Sequence, residues 1–163
     1  MNDSDSARQD FLALRDNASS AQLATLAKDT SPEASYAPCV LFAGDYYFFL
    51  SQLASHTANL MRNPELGLML IEDEFEAANA FARRRISLQG RAEPVARDSD
   101  IFKSVLKQFH QRFGKVMKII EPLPDFQLFC VRVTSGRFVR GFGQAYELTG
   151  DKLDDLHLTD PRR

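Results

Sequence analysis

Five consecutive large apolar side chains, Tyr46-Tyr47-Phe48-Phe49-Leu50, constrain this chain more than any other feature. Aromatic residues favour strands, and successive strand side chains point to opposite faces. This run therefore has no polar face to turn toward water. It predicts a strand over 46–52 that is covered on both sides. At 163 residues the chain is long enough for one domain with a real core and too short for two comfortable ones.

The other elements read from period and punctuation. Strands are expected at 21–27 and 34–42, joined as a hairpin across the polar Ser-Pro stretch, and at 66–71, where "LGLMLI" follows a proline. "RRRISLQGRAEPV" alternates with period two and predicts a strand over 83–95. Two more are expected at 125–133 and 136–148, with Thr134-Ser135-Gly136 read as the turn between them. Helices are expected at 4–18, at 55–63, where Asn63-Pro64 ends the pattern, and at 98–113, with Asp98 or Ser99 as cap. The acidic 72–82 reads as a loop with one or two helical turns. Seven short strands without regular βαβ alternation predict a mostly antiparallel sheet closed into a small barrel with flanking helices. The expected organisation is a helical arm over 1–20, a barrel over 21–150 and a tail over 151–163.

Charge and composition narrow the function. Twenty basic against twenty-two acidic residues leave a net charge of −2, which argues against a nucleic-acid binder that relies on a strong positive field. Apolar runs stop well short of the roughly 20 residues that span a bilayer, and the N-terminus has no signal-peptide pattern, so a cytoplasmic location and no membrane partner are expected. Cys39 and Cys130 both lie in apolar strand-like runs and read as buried thiols. The three histidines lack metal-site spacing, so metal chemistry would have to arrive inside a cofactor.

Two clusters carry chemistry. Ser51, Ser55, His56 and Thr57 gather where the aromatic strand hands over to a helix. If Ser55 caps that helix, its free amides, the hydroxyls and the imidazole suit a phosphate; alternatively Ser55 only caps and His56 lies on the surface. In "ARRRIS", Arg84 and Arg85 point to opposite faces of a strand, so at most one alternate set meets a ligand such as a phosphate or propionate; a solvated run balanced by nearby acids is the other reading. Gly141 and Gly143 in "RGFGQAY" read as a strand bulge and not as a dinucleotide fingerprint.

Taken in order, "SYAPCVLF", "SQLASHTANLMRNPELGLMLIEDE", "RRRISLQGRAEPV" and "RFVRGFGQAYELTGDKL" resemble the pyridoxamine 5′-phosphate oxidase-like split barrels, specifically their haem-utilisation branch. The resemblance spans about residues 8 to 157 and implies a homodimer of split barrels with about six to seven antiparallel strands, holding haem or FMN in clefts between subunits. At the positions that hold the flavin phosphate in oxidase members stand Ser35, with Tyr36 beside it, Ser55 with His56, and Arg85. Asp125 in "PDFQLF" matches the aspartate that supports haem in the other branch. The axial histidine expected near the C-terminus falls at Arg162, which leaves His157 as the nearby candidate for iron. The functions implied are haem binding or degradation, with an FMN-dependent oxidoreductase and a non-catalytic cofactor-binding dimer as alternatives.

Overall fold

The computed structural model describes residues 3–159. In chain order the elements are α1 (Asp3–Asn17), β1 (Ser20–Leu26), β2 (Pro32–Phe42), β3 (Asp45–Ser51), α2 (Ser55–Arg62), β4 (Glu65–Ile71), a short 3-10 turn (Ala80–Ala82), β5 (Arg85–Val95), α3 (Asp100–Phe113), α4 (Lys115–Ile120), β6 (Phe126–Gly141), β7 (Gln144–Thr149) and β8 (Asp155–Leu158). All strand pairs are antiparallel, in the order β3-β2-β1-β4-β5-β6-β7-β8. A further ladder, from Tyr46↔Val131 to Ser51↔Phe126, joins β3 to the first half of β6 and closes six strands into a barrel. The second half of β6 carries β7 and β8 outside that ring.

The aromatic strand is buried on both faces, as its composition predicts. Tyr46, Phe48 and Leu50 point into the barrel, where they join Leu23, Leu68, Ile86, Phe129 and Phe138. Tyr47 and Phe49 point outward, under Phe102, Val105, Leu106 and Phe109 of α3. That helix starts where Ser99 accepts the Phe102 amide at 3.2 Å. Both cysteines are free and buried, and burial pushes the Cys39 thiol up to about 12, which leaves it inert at neutral pH. No helix among the described residues is long and apolar enough to cross a membrane.

Two expectations need correction. The stretch 126–141 is a single strand, and Thr134-Ser135-Gly136 is no turn. Ser135 pairs with Gln89 and Gly136 with Leu88, while a Cβ at Gly136 would lie 2.5 Å from the Leu88 side chain; the glycine serves close strand packing. The reversal comes at Phe142-Gly143, where Gly143 adopts φ +73°. Gly141 accompanies a register shift after Val139, in line with the expected bulge. The tail also forms a strand: β8 pairs along β7 from Tyr146↔Leu158 to Thr149↔Asp155.

Helix α1 lies against the barrel through buried Ala7 and Phe11, and the Phe11 ring meets Phe138 edge-on at 5.6 Å. Beside it, the Asp10 carboxylate bridges Arg84 (2.9 Å) and Arg140 (2.6 Å), and Arg84 also binds Glu72. Burial alone would raise Glu72, yet the hydrogen bonds and charge of Arg84 outweigh it and hold the carboxyl below its usual range. Phe11→Ala is expected to cost about 3–5 kcal/mol, because the surrounding barrel residues cannot close the void. Denaturant unfolding of the variant checks this; a loss under about 1 kcal/mol would mean that α1 does not seal the core.

Candidate functional site

Helix α2 covers one end of the barrel, and its residues meet those of β1, β2 and β3. Thr57 donates its hydroxyl to the Ser51 carbonyl at 2.7 Å, and the Ser51 hydroxyl donates to Asp125 Oδ2 at 2.7 Å while accepting the Leu53 amide at 3.1 Å. The Asp125 carbonyl accepts the Gln52 amide at 2.8 Å. Asp125 and Ser51 are 74 positions apart in sequence; the β3–β6 ladder that ends at Ser51↔Phe126 brings them into contact. On the other side of α2, His56 Nδ1 lies 3.1 Å from Ser35 Oγ.

Ser55 does not cap the helix. The cap residue is Ala54, which offers no side-chain bond, and the Ser55 hydroxyl donates instead to Glu33 Oε1. The second oxygen of Glu33 accepts from Asn59 Nδ2 at 3.2 Å, and that nitrogen also donates to Thr25 Oγ1 at 3.0 Å. Bonds from Ser55 and Asn59 hold the Glu33 carboxyl below its usual range, so it is ionised at neutral pH. His56 is half-buried; burial lowers its pKa, and the charge of Glu33 opposes this only in part, so the imidazole is neutral at pH 7. Thus the three hydroxyls are spent on protein acceptors, and a carboxylate stands beside the helix N-terminus. The cluster does not fit a phosphate.

The remaining candidates lie elsewhere. Tyr36 follows Ser35 on β2 and so faces the outside of the barrel, with 61% of its surface exposed. Arg84 precedes β5, and its guanidinium is committed to Glu72 and Asp10. Arg85 opens β5 and pairs with Ile71, three strands across the sheet from β2, or roughly 14 Å at the usual strand spacing. His157 is exposed on β8 opposite Glu147, which pairs in turn with Arg137 of β6. Because Asp125 immediately precedes β6, the eleven steps from Phe126 to Arg137 place His157 at least about 35 Å of strand away from it. Within one chain these two do not meet. The Arg162 position lies outside the described residues.

Register joins three of these outlying residues into one surface. Residues directly opposite across antiparallel strands share a face, and the pairs run Tyr36–Gln22–Met69–Ser87–Arg137–Glu147–His157 around the outside of the sheet. Arg85 is on that face two residues before Ser87. A groove of about 570 Å³ runs there between Arg85, Gln89, Arg137 and Val139. Neither Arg85 nor Arg137 forms a salt bridge with another described residue. Sequence reasoning missed Glu33 and Arg137. Period-two alternation on β2 could have placed Glu33 on the face of Ser35, but no local signal pairs Arg137 with His157.

Comparison with known proteins fits this architecture. Residues 7–140 match the pyridoxamine 5′-phosphate oxidase family. Over 143 residues the chain is 42% identical to the heme oxygenase HutZ of Vibrio cholerae, covering 87% of this chain and 81% of HutZ. A crystal structure of HutZ, described as a haem storage protein, superposes with a TM-score of 0.76 at 37% identity, covering 83% of this chain and 95% of that one. The crystal structure of Campylobacter jejuni ChuZ superposes with a TM-score of 0.84 at 29% identity; it covers 92% of this chain, which spans 62% of ChuZ.

The low pKa of His56 sets a pH dependence. The unfolded chain takes up this proton near the ordinary 6.5, the folded one only at lower pH, so the stabilisation is complete above about 6.5 and is lost as pH falls through the folded value. Between pH 7.5 and 5.5 the wild type should therefore lose more stability than His56→Gln. Equal losses in denaturant titrations would show that His56 protonates as freely folded as unfolded.

Proposed function

Because the chain belongs to the pyridoxamine 5′-phosphate oxidase family, in its HutZ-like branch, we propose that it binds haem between two copies of itself. The observation that carries this reading is the outer groove, where the guanidinium groups of Arg85 and Arg137, without salt bridges, accompany His157 on one face. Carboxylates of an apolar macrocycle suit such guanidinium pairs, which bind them through two parallel hydrogen bonds. Met69 and Val139 add apolar wall on the same side.

In this reading Arg85 and Arg137 hold the propionates and His157 is the candidate axial ligand. Asp125 of a second copy supports that histidine as a hydrogen-bond acceptor. Its own position is held by Ser51 and by the Gln52 amide. This reading calls for two copies, since His157, in register with Arg137, and Asp125, just before Phe126, stand toward opposite ends of β6 in one chain. Exposed Tyr36 and Leu53, the latter with 91% of its surface open, are apolar contacts available to the second copy. Bound haem would supply iron for oxygen chemistry, as the name of HutZ indicates for that relative. The proposal includes a cytoplasmic location. The flavin alternative is less favoured, because the α2 cluster offers a carboxylate and a neutral imidazole where a phosphate would need positive charge.

Adding hemin to the purified protein should produce a Soret band, and light scattering should give about twice the 18.4 kDa chain mass. His157→Ala should abolish the ligated spectrum, and Asp125→Asn should weaken hemin binding by roughly 10–100-fold, as outer partners of metal ligands do. Spectra unchanged in both variants would remove these roles; a monomer, or no Soret band, would remove the proposal.

A further inference from the structure

The protein's own anion stands beside the first turn of α2. Glu33 reaches it from β2 and takes a hydrogen bond on each oxygen, from Ser55 Oγ and Asn59 Nδ2. Asn59 is itself fixed: it is buried, its nitrogen also meets Thr25, and its oxygen accepts from Arg62 Nη2 at 2.6 Å. The one nearby imidazole, His56, is turned to Ser35. The side-chain donors that could welcome a phosphate here are therefore already oriented on a carboxylate or on another protein atom.

We propose that Glu33 is a specificity-determining residue that shuts phosphate-bearing cofactors out of this barrel end. A phosphate brought to the Ser55 hydroxyl would displace a hydrogen-bonded carboxylate and then face it as a like charge, which costs binding of the wrong partner. A neutral ligand of the same ring system feels no such repulsion. The discrimination is thus between FMN and riboflavin, which share the isoalloxazine and differ in the phosphate. Nothing in this assignment depends on haem: absence of a Soret band with hemin would leave it standing.

Fluorescence titration with FMN and with riboflavin tests it directly. The wild type should bind FMN no more tightly than riboflavin, whereas Glu33→Gln, which keeps the shape but drops the charge, should bind FMN at least roughly tenfold more tightly than the wild type with riboflavin unchanged. Inorganic phosphate should compete with FMN in the variant and not with riboflavin. Glu33→Ala serves as the second variant, since it removes the charge without relying on an amide in the same position. A wild type that already prefers FMN roughly tenfold over riboflavin overturns the proposal. So does an equal gain for both flavins, or no gain for FMN in either variant.

Discussion

The ladder between β3 and β6 is the interaction on which the rest of the molecule depends. It turns an open sheet into a closed ring. It is possible because β3 is apolar on both faces: its inward residues complete the barrel core, and its outward residues take α3 as a lid. A strand with a polar outer face would leave Phe102, Val105 and Phe109 without a partner surface. The same ladder ends at Ser51↔Phe126 and so delivers Asp125 to Ser51. Closure of the core thereby also brings Asp125 to the α2 end of the barrel.

Charge is distributed so that nearly every buried or half-buried ion has a protein partner. Asp10 bridges Arg84 and Arg140, and Arg84 also meets Glu72. Against that background the outer face is distinctive, because Arg85 and Arg137 border a groove, also lined by Glu147, and form no salt bridge with any described residue. Arg85 donates one bond to the Arg83 carbonyl at 3.1 Å, and guanidinium groups without an ionic partner suit a carboxylate arriving from outside. The α2 end is the reverse case, in which an acid has already taken the donors.

These two surfaces divide the candidate residues. Ser35, Ser51, Ser55, His56, Thr57 and Asp125 gather around α2 in three hydrogen-bonded groups, Asp125–Ser51–Thr57, Ser55–Glu33–Asn59 and His56–Ser35. Tyr36, Arg85 and His157 share the outer face, and Arg84 belongs to the attachment of α1. The proposed haem site draws on both surfaces, and in that proposal each copy would lend one half.

The sequence by itself determined the elements whose signal is local. Consecutive aromatics made β3 a doubly covered strand, three- and four-residue spacing with Ser99 made α3, Asn63-Pro64 ended α2, and the ordered motifs identified the family. It misplaced the break in β6, because Thr134-Ser135-Gly136 has turn composition, whereas pairing with β5 holds that stretch extended. Only the tertiary structure decided that the tail pairs as β8, that Glu33 rather than a free ligand meets Ser55, and that His157 is in register with Arg137, far along β6 from Asp125. Side-chain period is a property of neighbours along the chain; which strands pair, in what register, and which distant carboxylate reaches a hydroxyl are set by closure of the whole barrel.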